Sequence, residues 1–386
     1  MRLHHHIITI AIMLITAISH AQLNGKTISW RIAGELPSDH KGESAKGLAG
    51  PVTGAHHRMI IIGGGANFPD SMPWQGGKKK YYQQVFVFRV TDKKFVPVDG
   101  SFRLPEPVAY AATCTTPLGV FYAGGENENG VSRKAYLLQW DRQKKDLKCK
   151  ELPLLPDGLT NAACAAWGNH VYIAGGENGK EVVASCWSID LDNISAGWKE
   201  WPSLPHPVSH AGLAVIQNKT TSAIFLLGGR RKIPESISEL YQSVYRLDLN
   251  NRTWTAMPDL PYPLSAGTCI YVGDDNIYLF GGERGTVFSK VEACLVAISK
   301  ESRQSEREKL VEQKNQLLRT HPGFSREVIC YNTNIGSYKI SGLIPYPTPV
   351  TTTAFWYRNA VIIPSGEIRA GVRSPQLLLA KIPREK

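Results

Sequence analysis

The chain has 386 residues, of which 42% are hydrophobic, a fraction that is ordinary for a soluble protein. Its 44 basic and 33 acidic residues give a formal net charge of +11 at pH 7. The basic residues lack the clustering on one face and the interleaved aromatic residues of a nucleic-acid groove, so we expect no nucleic-acid partner, whereas the charge is compatible with an acidic small molecule.

The first segment, Met1 to Ala21, has the features of a secretory signal peptide. Arg2 precedes an apolar stretch from Ile7 to Ile18, and the small residues Ser19 and Ala21 stand at positions suited to cleavage. The alternative is a membrane anchor, but the apolar run is short for spanning a bilayer. We therefore expect a periplasmic or secreted protein without stable membrane insertion.

The next predicted element is a strand within Ile28 to Pro37, which contains Trp30 and closes on Leu-Pro. In the repeating units described next, a strand of this kind is the last of four, but no other predicted strand precedes it here.

A repeat of about fifty residues dominates the rest of the chain. Six apolar, strand-like runs each end at a doublet of small residues, and a Trp-containing strand that closes on Leu-Pro is clearest in two of the units. The doublets are Gly64-Gly65, Gly124-Gly125, Gly175-Gly176, Gly228-Gly229, Gly281-Gly282 and Ser365-Gly366. With four strands per unit, the pattern predicts an all-β, six-bladed β-propeller of the kelch type, formed as a single domain by residues 22–386.

One insertion accounts for the long interval between the last two doublets. Residues Lys300 to Arg319 contain no Gly or Pro and are rich in charged helix-forming residues, with Leu310, Val311, Leu317 and Leu318 as the main apolar ones. This composition predicts a helical insertion at about residues 299–325, over one rim of the propeller. It would be a solvated excursion or, alternatively, a lid or a contact in a homodimer.

The last three predicted strands form a blade that lacks its fourth strand, and the N-terminal strand can supply it. Thr351 to Tyr357, Ala360 to Pro364 and Gln376 to Ile382 predict the first three strands of a blade without a fourth. We expect the N-terminal strand to complete this sixth blade, because the pairing hides two sheet edges that would otherwise invite aggregation.

The cysteines give no sign of a metal site. They contain no C-x-x-C pair, and no histidine cluster has metal-ligand spacing. The seven are Cys114, Cys149, Cys164, Cys186, Cys269, Cys294 and Cys330. We interpret them mainly as small core residues, while a structural disulfide stays an open alternative.

The loops after the doublets are expected to surround the binding site. Because antiparallel strands alternate in direction, these loops and those between blades emerge on one face, around the central funnel. They carry Asn67, Glu126, Glu177, Arg230, Glu283, Arg284, Glu367, Arg369 and Arg373. This mixture suits an anionic, polyhydroxylated ligand, since Arg can clamp a carboxylate and Glu can accept from hydroxyls. Alternatively, the recurring Glu satisfies backbone donors in each blade.

Two motifs resemble the kelch-type sialic acid mutarotases, also called N-acetylneuraminate epimerases. They are Ile62 to Pro69, followed by Gly76-Gly77-Lys78-Lys79, and the run Ser365 to Ser374. The resemblance covers essentially the whole mature chain. The blade with the Gly-Gly-Ala motif comes first here but late in better-known members, so the chain is similar to a cyclically permuted branch. Ser365 stands where the family has Asn.

The resemblance implies an isomerase that interconverts the α and β anomers of sialic acid and needs no cofactor. The family's Gly-Glu followed six residues later by Arg falls on Glu367 and Arg373, which are thereby implied to be the catalytic pair. Glu367 would be the acid-base group, and Arg373 would hold the sugar carboxylate or stabilise developing negative charge. Further candidates for substrate binding are Asn67, Arg230, Arg284 and Arg369.

Three other functions fit parts of the pattern. A non-catalytic kelch module could bind a glycan or a protein through the same loops. A six-bladed sialidase would also suit an Arg-rich funnel, but the chain has no Ser-x-Asp-x-Gly-x-x-Trp box. A copper oxidase on a kelch scaffold is conceivable, although nothing in the sequence specifies its metal ligands.

Overall fold

The computed structural model describes residues 27–38, 45–91, 94–218 and 220–383. The expected signal peptide, Met1 to Ala21, lies outside the described residues. In the described part of the chain, neither helix combines the length and the apolar character that a bilayer span requires.

Six antiparallel sheets are arranged as the blades of a β-propeller, which confirms the predicted fold class. The first strands of neighbouring blades contact each other around the central axis, so each blade runs outward from its first strand. Blade 1 contains Ala49–His56, Met59–Asn67, Gln84–Val90 and Phe95–Pro97, with the short strands Lys80–Tyr81 and Phe102–Arg103 beside them. Blade 2 contains Ala112–Thr116, Gly119–Ala123, Ala135–Asp141 and Asp146–Leu152.

The other four blades repeat this order. Blade 3 contains Ala163–Trp167, His170–Ala174, Cys186–Asp190 and Lys199–Glu200, and blade 4 contains Gly212–Gln217, Ser222–Leu227, Val244–Asp248 and Thr253–Met257. Blade 5 contains Thr268–Gly273, Asn276–Phe280, Glu327–Asn332 and Ser337–Leu343, and blade 6 contains Phe355–Tyr357, Ala360–Pro364, Gln376–Lys381 and Ser29–Glu35. Short hairpins follow three of the doublets: Glu126–Asn127 with Gly130–Val131, Arg230–Arg231 with Glu239–Leu240, and Glu367–Arg369 with Val372–Arg373. Two 3₁₀ turns lie at Pro73–Gln75 and Ile194–Ala196.

The core lies between the blades. In the second strand of blade 1, Ile60 and Ile62 pack toward blade 6, whereas Ile61 packs toward blade 2. Since successive side chains of a strand point to opposite faces, a strand buried on both faces needs an unbroken apolar run. This requirement explains why each doublet is preceded by such a run.

The ring closes between the two ends of the chain, as predicted. Ser29–Glu35 pairs antiparallel with Gln376–Lys381, and Ser29 lies opposite Lys381. The N-terminal strand thus becomes the outermost strand of blade 6.

A closed ring of backbone hydrogen bonds links the six blades around the central axis of the propeller. Each blade contributes one residue, whose N–H donates to the carbonyl of the corresponding residue in the preceding blade at 2.7 to 3.0 Å. We call this ring the collar: Gly50, Tyr110, Asn161, His210, Ala266 and Thr351. All six have φ between 51° and 62°. The collar therefore holds six neighbouring loops in one fixed arrangement.

The helical insertion is longer than predicted. It consists of two helices, α1 over Phe288–Lys300 and α2 over Gln304–Arg319, so its first helix begins before the expected boundary near residue 299. The apolar run from Cys294 to Ile298 is too short to distinguish a helix from a strand by periodicity. In the other blades the third strand follows soon after the doublet, whereas in blade 5 it comes after both helices.

All seven cysteines are free. Cys149 is exposed, and the other six are buried or partly buried.

Candidate active site

A cavity of about 360 Å³ lies on the side of the collar that carries the post-doublet loops. Its polar wall consists of Lys79, Glu126, Arg230, Ser265, Glu283, His321 and Glu367, and five of the six collar residues also line it. The helical insertion supplies an apolar wall, formed by Val287, Phe288, Val291, Leu318 and Phe324. A volume of this size accommodates a small organic ligand.

The backbone pairing of the residues that follow the doublets determines where the polar side chains of the wall lie. In five blades, the residue after the doublet pairs with the residue before the collar, as in the Val350–Glu367 bridge. Blade 1 has the corresponding pair Ala49–Ala66. The six positions are Ala66, Glu126, Glu177, Arg230, Glu283 and Glu367. The same backbone geometry thus presents four carboxylates and one guanidinium around the axis.

The hairpin of blade 6 brings Glu367 and Arg373 together. The two residues are direct cross-strand partners, so their side chains project from the same face of the hairpin. Arg373 Nη2 lies 3.7 Å from Glu367 Oε2, and Glu367 Oε1 accepts a 2.7 Å hydrogen bond from the N–H of Gly371. The carboxylate is therefore oriented from both sides while still lining the cavity.

Arg373 lies immediately behind Glu367 and is not itself part of the cavity wall. Its side chain is 4% exposed, and its guanidinium carbon lies 4.7 Å from the ring centroid of Phe68. Within the described residues, Nε and Nη1 donate to no acceptor. The guanidinium thus carries a positive charge, with unused donors, right beside the carboxylate.

Arg230 is the guanidinium that lines the cavity. It lies 4.5 Å from the ring centroid of Phe288, and its Nη2 donates to Nε2 of His210 at 3.4 Å. His210 Nδ1 is 3.0 Å from Ser209 Oγ, which in turn donates to Glu177. Burial, assisted by the charge of Arg230, lowers the pKa of His210 well below its ordinary value, so the imidazole is neutral at pH 7. A neutral His210 can accept the hydrogen bond from Arg230 Nη2. Arg230 Nε has no acceptor among the described residues.

Lys79, Glu126 and Tyr81 form a second charged group in the wall. Glu126 Oε1 accepts hydrogen bonds from Lys79 Nζ at 3.2 Å and from Tyr81 Oη at 2.8 Å. Burial and the hydrogen bond to Glu126 raise the pKa of Tyr81 to about 12. Burial likewise raises the pKa of Tyr110, although the nearby cations of Lys79 and Arg373 oppose this effect. Both phenols are therefore protonated at pH 7.

Sequence reasoning missed His321. Its Nδ1 accepts the N–H of Gly323 at 3.0 Å, so Nε2 carries a hydrogen, and Nε2 lies 3.6 Å from Glu283 Oε2. Glu283 Oε1 accepts the N–H of Gly285 at 2.6 Å. No motif marks this residue, because it enters the site only through the path of the chain after α2.

Three residues expected to bind substrate lie away from this cavity. Asn67 is buried, and its amide donates to Gly47 O and accepts from Tyr82 Oη. Arg284 forms a 2.6 Å ion pair with Glu327 and packs over the ring of Tyr262 at 3.6 Å, where it lines a different pocket. Arg369 is exposed and does not line the cavity. Of the four substrate-binding candidates, only Arg230 lines the central cavity.

The polar wall suits acid-base chemistry on an anionic sugar. Carboxylates at Glu367 and Glu283 can exchange protons or accept from hydroxyls, while Arg230 can pair with a ligand carboxylate. Among the described residues, no three His, Cys, Asp or Glu side chains come close enough to hold a metal ion together.

Comparisons with known proteins agree with this chemistry. A family model described as N-acetylneuraminate epimerase matches residues 13–147 and 152–386. N-acetylneuraminate epimerase of Brucella melitensis is 29% identical over 237 residues, which are 60% of this chain and 58% of that protein. The Yersinia enterocolitica protein of the same name is 32% identical over 143 residues, 34% of this chain and 35% of its own. That of Haemophilus influenzae is 22% identical over 224 residues, 58% and 57% of the two chains. The matched stretches thus span less than two thirds of these relatives.

Proposed function

The chain belongs to the N-acetylneuraminate epimerase family, and on this basis we propose that it is a sugar mutarotase, an isomerase that interconverts the α and β anomers of N-acetylneuraminate. The observation that carries the proposal is the pairing of Glu367 with Arg373 across one hairpin, with the carboxylate in the wall of the central cavity.

Glu367 moves the proton. Its carboxylate removes the proton of the anomeric hydroxyl. The bond between the anomeric carbon and the ring oxygen then breaks, and Glu367 gives the proton to the ring oxygen. The open-chain ketone rotates, and the reverse sequence closes the ring on its other face. A positioned acid-base group of this kind contributes about 10²- to 10⁴-fold in rate.

Two arginines divide the charge stabilisation between them. Arg373, directly behind Glu367, stabilises the negative charge that develops on the anomeric oxygen as its proton leaves. Arg230 holds the sugar carboxylate, because it is the guanidinium that lines the cavity. The sugar carboxylate is attached to the anomeric carbon, so holding it also fixes the position of the reacting centre.

Proton NMR of the anomers after their release from a glycoside tests the reaction. We expect the protein to accelerate equilibration, and Glu367→Gln to reduce the acceleration by about 10²-fold or more. Arg373→Ala should also reduce it. Glu308→Gln, on the exposed face of α2, is the matched control and should behave as wild type. Wild-type exchange in Glu367→Gln would refute the mechanism, and ligand binding without exchange would favour a non-catalytic kelch module.

Arg230→Lys tests the carboxylate contact. Lysine keeps the charge but loses the planar fork that binds a carboxylate with two hydrogen bonds, so we expect KM to rise about tenfold with a smaller change in kcat. Arg231→Lys changes the neighbouring, exposed arginine in the same way and should leave KM unchanged. An unchanged KM in Arg230→Lys would assign the carboxylate to another group.

We also propose that the protein is exported after cleavage near Ala21 and belongs to a cyclically permuted branch. The features of Met1 to Ala21 support export. The match to the Brucella melitensis protein covers 60% of the chain, which is compatible with a permuted order, because a collinear alignment follows only part of it. N-terminal sequencing of the exported protein checks the first proposal, and a retained leader would contradict it.

A further inference from the structure

The helical insertion gives the cavity a surface unlike its other sides. Val287, Phe288 and Val291 lie around the first turn of α1, Leu318 lies in the last turn of α2, and Phe324 follows it. These five side chains are apolar and partly buried, and all of them line the cavity. A ligand whose surface here is apolar would bury them further, which is favourable.

Several contacts fix this apolar wall to the propeller. Both carboxylate oxygens of Glu292 accept from Ser238, at 2.7 Å from Oγ and at 2.8 Å from the backbone N–H. The N–H of Ser325 donates to Gly282 O at 3.0 Å. Phe288 packs against the guanidinium of Arg230. The wall is therefore connected to the rims of blades 4 and 5 and to the polar group proposed to hold the carboxylate.

We propose that this wall binds the N-acyl group of the sugar and selects N-acylated nonulosonic acids over those that carry a hydroxyl in the same place. The inference rests on the proposed function. Apart from the C3 methylene and single C–H groups, the other groups of such a sugar are hydroxyls, a carboxylate and the ring oxygen. The acyl methyl is therefore the group that gains most from an apolar contact. A hydroxyl there loses its hydrogen bonds to water and finds no partner on the wall.

Two near-isosteric substitutions test the wall. Leu318→Asn and Val291→Thr each introduce a polar group at nearly constant volume. Leu295→Asn is the matched control, because Leu295 lies on α1 but is 49% exposed and does not line the cavity. Circular dichroism and thermal unfolding of all three variants separate an effect on the site from loss of the fold.

The measurement compares two sugars, N-acetylneuraminic acid and the analogue with a hydroxyl in place of the acetamido group. We expect wild type to prefer the acetylated sugar in kcat/KM, and Leu318→Asn to reduce this preference roughly tenfold, mainly through the KM of the acetylated sugar. Val291→Thr should act in the same direction, and Leu295→Asn should keep the wild-type preference. Equal preference in wild type, or an equal loss for both sugars in Leu318→Asn, would overturn the inference.

A binding experiment separates this inference from the reaction. In saturation-transfer NMR with N-acetylneuraminic acid, we expect the acetyl methyl to receive the strongest transfer from the protein, and Leu318→Asn to weaken that transfer selectively. If anomer exchange is absent but this pattern holds, the proposed reaction fails and the N-acyl site stands. If the methyl shows no transfer while exchange is accelerated, the reaction stands and the N-acyl site fails.

Discussion

At the scale of single residues, the site keeps donors that the protein does not satisfy. Arg230 Nε and the Nε and Nη1 of Arg373 donate to no acceptor among the described residues. A buried donor without a partner costs about 1 to 3 kcal/mol of stability. The protein tolerates this cost at two arginines that lie in or directly behind the cavity wall, which fits the charge stabilisation proposed for them better than a role in folding.

His56 has a different role, because it lies at the end of a strand in blade 1 and contributes to stability. It is 7% exposed, and its Nδ1 accepts the N–H of Trp140 at 2.8 Å. Burial, followed by the charges of His57 and Arg142, lowers the pKa of His56 from 6.5 to about 4. Unfolding restores the ordinary pKa, so the unfolded chain binds a proton between pH 6.5 and 4 that the folded chain does not bind.

We therefore expect the free energy of unfolding to decrease as the pH falls below 6.5. The contribution of His56 at pH 5 is a loss of about 2 kcal/mol relative to pH 7.5. His56→Asn keeps an acceptor near the position of Nδ1 but cannot be protonated, so urea unfolding of this variant should depend less on pH in this window. His170→Asn, which replaces an exposed histidine in blade 3, serves as the control. Parallel pH profiles for wild type and His56→Asn would refute this explanation.

Pairing within one hairpin could be predicted from sequence, whereas contacts between distant segments could not. The Gly-Glu motif and the Arg six residues later place Glu367 and Arg373 on one turn, and that is where the structure has them. Asn67 and Arg284 follow their doublets in the same register, yet each side chain turns toward a local partner. Side-chain direction after the turn depends on those partners, which the repeat pattern does not contain.

At the scale of elements, the doublets and the collar explain why the loops hold their positions. Both glycines of the doublet in blade 2 have positive φ, and a Cβ at Gly124 would lie 2.1 Å from Leu159 O. Blade 6 has Ser365 instead, at φ 53°. Its Oγ accepts from Leu48 N and donates to Ser374 O, both at 2.8 Å. These bonds join the segment after the N-terminal strand to the hairpin of Glu367.

Gly50 is the collar position at which a side chain is least tolerable. Its φ is +62°, and a Cβ would lie 2.4 Å from both the ring and the backbone nitrogen of Tyr110. Gly168 has a similar φ of +57° but no atom within 4 Å of its Cβ position. Substitution by alanine costs about 1 kcal/mol for the left-handed backbone at either site, whereas overlap with Tyr110 adds about 1 to 3 kcal/mol at Gly50 alone.

Gly50→Ala should therefore destabilise the protein by at least twice as much as Gly168→Ala in urea unfolding. Because Tyr110 lines the cavity, Gly50→Ala should also slow anomer exchange, which Gly168→Ala should leave unchanged. Equal costs for the two substitutions would mean that the collar can shift freely.

The insertion shows where element prediction from sequence reaches its limit. Charged helix formers after residue 300 indicated α2, but α1 contains more apolar residues and resembles the run of a strand. Helices that pack on a protein surface through a few residues carry a weak periodic signal. The contribution of the insertion to the cavity wall depends on the position of its two ends, which only the fold specifies.

At the scale of the whole molecule, the propeller depends on a pairing between its two chain ends. Both ends of the chain carry an incomplete blade, so this closure could be predicted without knowing any contact. The pairing of Ser29–Glu35 with Gln376–Lys381 is non-covalent, and it lies in the blade that carries Glu367. Local opening of the ring at this seam would therefore expose the edge of blade 6 and loosen the hairpin of the site.

A circular permutant can move the seam away from the site. Ser29 lies opposite Lys381, so a short Gly-rich linker can join these two residues as a hairpin loop. The new ends lie between Gln143 and Lys144, in the exposed turn between the two outer strands of blade 2. Blade 2 then consists of three strands from the new C-terminal end and one from the new N-terminal end, as blade 6 does in the original chain. The permutant keeps every strand pair while making blade 6 continuous.

We expect this permutant to fold and to catalyse anomer exchange within about twofold of wild type, because the spatial arrangement of the site does not depend on where the ring is opened. Amide hydrogen exchange should become slower in Gln376–Lys381 and faster in Asp146–Leu152, since the unlinked edge has moved from blade 6 to blade 2. A variant without residues 1–36 loses the closing strand altogether and should aggregate or unfold, since blade 6 then has an open edge. If the permutant fails to fold while the truncated chain remains stable and active, closure by the two chain ends does not hold the ring together.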